Sequence, residues 1–321
     1  MSDSLSVAVI GAGPAGLSAA LWLKQLGYTP FVLEAADAPG GILRFNFLAN
    51  EWVLGHHGLT GVAMSERFVA HAEALAIAIE CGRTVHRLVP IPQGWRLFLA
   101  DDTPRHAAAV IVATGLRYRG PEAVATVAGM GELTEGEVAY GPFAFRDLEQ
   151  CQGKTVLIVG GGDNAFENAK MIAELGGHAL ILCRSQPRAQ RQLREAAARF
   201  ADRVRVVAQA ALRAVCREAG KLVAHWQTVS DKTEAATVDR LHFLIGYAPN
   251  SEWLVAALGD AATALARDAA GYLITDRWGR TPLLRLYAAG DLVERDFPNV
   301  VSALASGARA AKAVDIDLGA R

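Results

Sequence analysis

The residues from Val7 to Gly16 carry the first recognisable chemistry. Val7-Ala8-Val9-Ile10 is a short apolar strand running into Gly11-Ala12-Gly13-Pro14-Ala15-Gly16, a GxGxxG turn that opens an apolar-periodic helix. Such an order of residues cradles a diphosphate. Gly11 can take the tight turn out of the strand, Gly13 has no side chain to keep a pyrophosphate from the backbone, and Gly16 lets helix and strand pack closely. The helix N-terminus adds unpaired N–H groups and a partial positive charge, both favourable to an anion. A second strand, Phe31-Val32-Leu33, ends in Glu34, 18 residues beyond Gly16, where a carboxylate can accept from ribose hydroxyls.

The same device recurs 149 residues later. Thr155 to Val159 is a strand, Gly160-Gly161-Gly162-Asp163-Asn164-Ala165 is GxGxxA, a helix follows from Asn164 to about Leu175, and Ala179 to Cys183 is the next strand. Two cradles in one chain predict two dinucleotides. The second strand here leads to Arg184, with Arg188 and Arg191 just beyond, in place of an acid. A planar, permanently charged guanidinium binds phosphate bidentately, so this site suits a 2′-phosphate and hence NADPH, with NADH as the alternative. The same arginines would equally suit a solvated helix start.

The elements that must hold these residues follow from pattern. A helix over Leu17 to Leu26 is capped by Gly27, and Pro39-Gly40-Gly41 is a glycine turn. An irregular aromatic segment, Phe45 through Trp52 to Gly61, could line a ring-shaped cofactor or form a surface loop. Helical periodicity covers Met64 to Ile79. Thr84–Leu88, Gln93–Leu99 and Ala107–Ala113 read as a three-stranded meander, its last strand ending in Ala113-Thr114-Gly115. The glycine-rich run from Gly120 to Gly141 contains a linker. Strands at Val204–Ala208, Ala211–Cys216, Leu222–Thr228 and Val238–Ile245 complete a second domain, and the chain returns through Gly246-Tyr247-Ala248-Pro249-Asn250. Tyr272–Thr275 and Leu286–Asp291 read as closing pieces of the first domain, with Asp291 placed to meet polyol hydroxyls of a cofactor and Gly290 beside it in the same cofactor-binding turn. The last helix starts at Val300 and Val301 and runs to about Ala313, its N-terminus free to face a developing anion. The expected fold class is α/β: two Rossmann-like, three-layer dinucleotide-binding domains, one inserted in the other.

Composition narrows the partners. The 321 residues, 52% hydrophobic, suit two domains with large cores. With 32 basic against 33 acidic residues no global field points to nucleic acid or an anionic membrane, and no apolar run approaches a membrane span. Met1-Ser2-Asp3-Ser4 lacks the basic and apolar regions of a secretory leader, so a cytoplasmic protein is expected. Cys81, Cys151, Cys183 and Cys216 show no CxxC and no zinc-ligand spacing, and the histidines form no HExxH. No metal is expected, and the thiols read as bystanders.

Taken together, these motifs resemble the low-molecular-weight thioredoxin reductase superfamily over nearly the full length. The resemblance is carried by Gly11 to Gly16 with Glu34, Pro39-Gly40-Gly41, Leu59-Thr60-Gly61, Ala113-Thr114-Gly115, Gly160 to Ala165, Ile245 to Asn250 and Ala288-Ala289-Gly290-Asp291. It implies FAD in a discontinuous domain (residues 1–116 and 247–321), NAD(P)H in an inserted domain (residues 117–246), a homodimer, and domains that rotate between states. Thioredoxin reductases carry CxxC shortly before the second cradle; here that stretch is Val138-Ala139-Tyr140-Gly141-Pro142-Phe143-Ala144-Phe145. Lack of CxxC is shared with the thioredoxin-reductase-type ferredoxin–NADP reductases. Those enzymes usually extend past the last helix, whereas this sequence ends at Arg321, and Cys183-Arg184-Ser185 keeps one arginine of the HRR typical of NADPH-using relatives. The expected activity is an FAD-dependent NAD(P)H oxidoreductase delivering electrons to an external acceptor: ferredoxin, flavodoxin, a quinone or another small oxidant. A reductase of a partner or small disulfide working through Cys151, and a flavin-binding redox sensor, are the alternatives.

Overall fold

The computed structural model describes residues 4–319, so most of the stretch on which the expected lack of a leader rests, and the final Arg321, lie outside the described residues. The chain forms two compact units, residues 1–117 with 248–321 and residues 118–247.

In the first unit, β1 (Ser6–Ile10), α1 (Pro14–Gln25) and β2 (Thr29–Leu33) are followed by a 3-10 turn at Gly41–Phe45, α2 (Gly61–Ala74) and β3 (Ala78–Glu80). The helix expected to reach Ile79 thus ends at Ala74. Ala76 takes a left-handed turn (φ 51°), after which β3 pairs with β2. Next come β4 (Val85–Ile91), β5 (Gly94–Leu99), β6 (Pro104–Ala107), β7 (Ala109–Val112) and β8 (Leu116–Tyr118).

The second unit continues with β9 (Val138–Tyr140), α3 (Phe143–Arg146), β10 (Thr155–Val159), α4 (Asp163–Glu174), β11 (His178–Leu182), α5 (Arg191–Ala198) and β12 (Val204–Val207). β13 (Ala210–Glu218), β14 (Lys221–Thr228), β15 (Thr233–Val238) and β16 (Arg240–Phe243) complete it. The chain then returns to the first unit through β17 (Tyr247–Pro249), α6 (Glu252–Leu258), β18 (Leu286–Ala288) and α7 (Val300–Gly319). Tyr272–Thr275 forms only an isolated bridge, Arg267 with Leu273, and α7 runs six residues past Ala313.

Each unit is built on a five-stranded, all-parallel sheet, in the order β18-β7-β1-β2-β3 in the first and β12-β11-β10-β16-β9 in the second. Parallel strands covered on both faces must be apolar throughout, and Ala109 to Val112 are fully buried. Alternation sends Val7, Val9 and Ile111 into a core with α1 and α7, and Ala8, Val110 and Val112 into a second core under the β4–β6 meander. The second unit repeats the plan. Val156 and Ile158 pack with α4 residues, and Leu157, Leu180 and Leu182 face β13–β15.

Two expected strands are each two strands. Ala107–Ala113 divides at Ala108, where the chain leaves the antiparallel meander and enters the parallel sheet, the Ala108 N–H donating to the Ser6 carbonyl (2.8 Å). Val238–Ile245 divides at Asp239, whose carboxylate accepts from the Thr155 N–H (2.7 Å). The run expected to contain a linker, Gly120–Gly141, also supplies β9, the edge of the second parallel sheet.

Candidate functional site

In the first cradle Gly11 adopts φ +105°, and a Cβ there would lie 2.5 Å from the Ala113 carbonyl oxygen. A Cβ on Gly16 would lie 1.9 Å from the Gly11 carbonyl oxygen. Both glycines are therefore required by backbone packed against backbone. Gly13 differs: its nearest neighbour would be the Gly41 Cα at 3.7 Å, so the space beside it is free for a ligand. α1 begins with Gly13 as N-cap and Pro14 in the first turn, with no side-chain cap on its N–H groups. Those donors suit a diphosphate.

Glu34 sits at the end of β2 as expected, yet it already serves the loop. Its Oε2 accepts from the Ala12 N–H (2.7 Å) and its Oε1 from the Ala36 N–H (2.9 Å), which fixes the carboxylate while leaving a lone pair on each oxygen. Ala15 packs beside Gly290, whose N–H donates to the Ser306 hydroxyl (2.7 Å). α7 closes on α1 at Gly307, where a Cβ would meet the Ala15 carbonyl oxygen at 2.1 Å.

Asp291 is the clearest mark of a ligand-binding role. Its Oδ1 is buried with no hydrogen-bond donor among the described residues, and burial, with Glu294 adding repulsion, pushes the carboxyl up to about 6. A buried unsatisfied carboxylate oxygen is costly, and a polyol hydroxyl would satisfy it. The Gly13 space, the uncapped α1 terminus and Asp291 together fit the phosphates and hydroxyls of a flavin dinucleotide.

Thr114 and Asn250 exchange hydrogen bonds: the Thr114 hydroxyl donates to the Asn250 carbonyl (2.8 Å) and the Asn250 amide to the Thr114 carbonyl (2.9 Å). The Asn250 N–H also donates to the Gly115 carbonyl (2.9 Å). At the start of α7, Asn299 caps the helix by accepting from the Ser302 N–H (3.0 Å), a cap that the sequence reading missed. The N–H groups of Val300 and Val301 keep no acceptor among the described residues.

In the second cradle, Gly160 meets the Leu244 carbonyl oxygen at 2.4 Å from an added Cβ, whereas Gly162 has nothing within 4 Å. Asp163, expected to touch cofactor, is occupied otherwise. Its oxygens accept from the Gln190 N–H (2.7 Å) and side-chain amide (2.8 Å), tying the arginine-bearing loop to α4. The Gly161 carbonyl holds the same loop through the Arg188 N–H (2.7 Å). Arg184 and Arg188 are exposed, and their guanidinium groups have no hydrogen bond or ion pair among the described residues; Arg191 pairs with Glu195 (3.5 Å). Asn164 bonds the Tyr247 phenol, whose pKa burial raises, and Ala165 is buried in the helix packing. Glu167, one turn further along α4, has its carboxyl raised chiefly by burial; nothing in the sequence pattern singles it out.

The cysteines are free and have different neighbours. Cys151 is fully buried, 3.9 Å from Nε2 of His242, whose Nδ1 lies 2.8 Å from Asn168 Oδ1. The Asn168 amide donates to the Ala144 carbonyl (2.9 Å), so Nδ1 carries the His242 proton, and burial, with Arg240 adding, holds this imidazole down to about 3. Burial pushes the Cys151 thiol up, the opposite of an activated nucleophile. Cys183 donates to the Gly160 carbonyl (3.3 Å).

Residues 5–307 match the family model for the pyridine nucleotide-disulphide oxidoreductases. The thioredoxin reductase of Coxiella burnetii is 26% identical over 316 residues, covering 95% of this chain and 94% of that one. One component of the alkyl hydroperoxide reductase of Pseudomonas putida is 28% identical over 320 residues, 97% of this chain but 58% of that protein, so this chain spans little more than half its length. Among solved structures, Lactococcus lactis thioredoxin reductase in its FR conformation superposes with a TM-score of 0.84 at 24% identity over 98% of this chain and 99% of that one. T. acidophilum thioredoxin reductase gives 0.84 at 22%, over 99% of each. The fold is α/β with Rossmann-like parallel sheets, as in those structures, and no helix among the described residues is long and apolar enough to cross a membrane. By its family match the chain belongs to the pyridine nucleotide-disulphide oxidoreductase family.

Proposed function

We propose that the protein is an FAD-dependent NADPH oxidoreductase that passes electrons to an external acceptor, a protein such as ferredoxin or flavodoxin or a small oxidant, without an internal redox disulfide. FAD would be held by residues 1–116 and 247–321 and NADPH by residues 117–246. Bound FAD would supply the redox chemistry, hydride uptake and onward electron release. The protein's part is binding and orientation. Gly11 and Gly16 let the turn and α1 pack closely, Gly13 leaves room for the pyrophosphate, Asp291 would accept from a ribityl hydroxyl, and the free N–H groups of Val300 and Val301 favour negative charge. Arg184 and Arg188 take the 2′-phosphate. No acid–base residue is needed for hydride transfer.

The observation that carries the reading is the distribution of thiols: each cysteine of the second unit has its own separate neighbours, and none is paired with another. An internal thiol–disulfide relay needs two sulfurs that can bond. Cytoplasmic location and a homodimer complete the proposal. Anaerobic rapid mixing of the FAD-loaded protein with NADPH and with NADH, followed by an acceptor panel, tests it. Fast flavin bleaching with NADPH preferred, and reoxidation by ferredoxin, flavodoxin or a quinone, is the expected result. No bleaching with either nucleotide would leave the flavin-binding sensor, and reoxidation by thioredoxin or small disulfides alone would overturn the acceptor class.

A further inference from the structure

The β13–β14 hairpin has two faces. Leu212, Val215, Leu222, Ala224 and Trp226 point into the core beneath it. A bulge between Leu212 and Ala214 resets the register, so that Ala214, Cys216 and Glu218 share the opposite face, with His225 directly across from Ala214. Three different donor atoms meet there. Cys216 Sγ lies 3.3 Å from His225 Nε2 and 3.6 Å from Glu218 Oε1, and His225 Nε2 lies 3.3 Å from the same carboxylate oxygen. Zinc bonds of about 2.3 Å to sulfur and about 2.0–2.2 Å to nitrogen and oxygen, opened at the tetrahedral angle, give ligand-to-ligand edges of about 3.4–3.6 Å. The triangle on this hairpin has nearly those sides.

We propose that Cys216, Glu218 and His225 form a binding site for one borderline divalent cation of the Zn²⁺ class, separate from both nucleotide cradles. The donor set selects the ion: thiolate and imidazole favour zinc over magnesium or calcium, which take oxygen ligands. Three protein ligands leave a fourth position for water. Binding exchanges the Cys216 thiol proton for the metal, the proton passing to solvent, with no change of oxidation state. Two strands are spanned by the ligands, so the ion would staple the hairpin. CxxC-type spacing cannot reveal such a site, because the third ligand comes from the neighbouring strand.

The test uses the reduced, full-length, FAD-loaded protein freed of metal with a chelator. Zn²⁺ binding is measured by calorimetry and by competition with a chromophoric chelator, and iodoacetamide labelling of each cysteine is followed by peptide mass spectrometry. One Zn²⁺ per chain is expected, with affinity lowered about 100-fold or more in Cys216→Ser and His225→Gln and unchanged in Cys81→Ser. Zn²⁺ should slow labelling of Cys216 by about tenfold or more and leave the half-buried Cys81 unaffected. Thermal unfolding of each metal-free variant checks that it is folded, and Zn²⁺ should raise the melting temperature of the wild type and of Cys81→Ser but not of Cys216→Ser or His225→Gln. Absence of binding, binding equal in wild type and Cys216→Ser, or equal protection of Cys81 would overturn the site.

Discussion

The two glycine cradles share one backbone design and differ in what surrounds it. Around the first, the groups aimed inward are acidic, Glu34 and the unsatisfied Asp291, and α7 closes on α1 through Gly307. Beside the second, the strand leads to exposed, unpaired arginines on a loop pinned by Asp163 and Gly161. On the proposed assignment, backbone geometry serves the pyrophosphate in both cradles, and the side chains at the end of the next strand distinguish the nucleotides.

The largest contrast is expected from matched glycine substitutions. Gly16→Ala drives a methyl group into the Gly11 carbonyl, which is backbone and cannot swing away, and should destabilise the first unit by at least about 3 kcal/mol with loss of bound flavin. Gly162→Ala meets no protein atom within 4 Å. Its thermal unfolding should stay within about 1 kcal/mol of wild type while NADPH binding is lost to the methyl group. Tight NADPH binding by Gly162→Ala would break the assignment of the second cradle.

Two groups shifted by burial, His242 in the second unit and Asp291 in the first, should respond to acid with opposite signs. His242 is held down to about 3, so the unfolded chain takes up its proton first as pH falls below 6.5, and the second unit loses about 3 kcal/mol by pH 4. Asp291 is raised from 3.8 to about 6, so the cost of ionising it in the folded apoprotein is complete above pH 6 and gone below about pH 4. Relief there returns up to about 3 kcal/mol to the first unit. Hydrogen exchange resolved by unit at pH 7 and pH 4 reads each contribution as the difference between wild type and variant: His242→Gln should remove about 3 kcal/mol of acid loss from the second unit, and Asp291→Asn up to about 3 kcal/mol of acid gain from the first, while weakening FAD.

Replacing both Arg184 and Arg188 by Ala should raise KM for NADPH by about 10–100-fold and leave NADH unchanged, because charge-assisted bonds to the 2′-phosphate are lost. Steady-state reduction of an artificial acceptor measures it. The smallest contrast lies in the meanders. Trp95 donates to the Leu284 carbonyl (3.1 Å), whereas the equally buried Trp226 N–H has no acceptor among the described residues. Trp95→Phe should cost about 1 kcal/mol more than Trp226→Phe in chemical denaturation.

Local signals made the cradles legible. Strand, glycine turn, helix and second strand are contiguous in the chain, and Gly11, Gly16 and Gly160 do occupy the backbone contacts that the motif requires. Periodicity fails at the same kind of junction in both units, Ala108 and Asp239, where an antiparallel strand passes within one residue into a parallel one. An apolar run is continuous across such a junction, and its pattern cannot show a change of sheet. β9 is three residues long at a sheet edge, and its place depends on pairing with β16 more than 100 residues away. The unsatisfied oxygen of Asp291 and the meeting of Cys216 with His225 are likewise products of distant packing and cross-strand register.

The most direct test of two distinct cradles is calorimetric titration of the FAD-saturated protein with NADPH. One further site per chain is predicted, with FAD retained, weaker for NADH and abolished by Gly162→Ala. NADPH that displaces FAD, or an NADPH site that survives Gly162→Ala, would contradict the account.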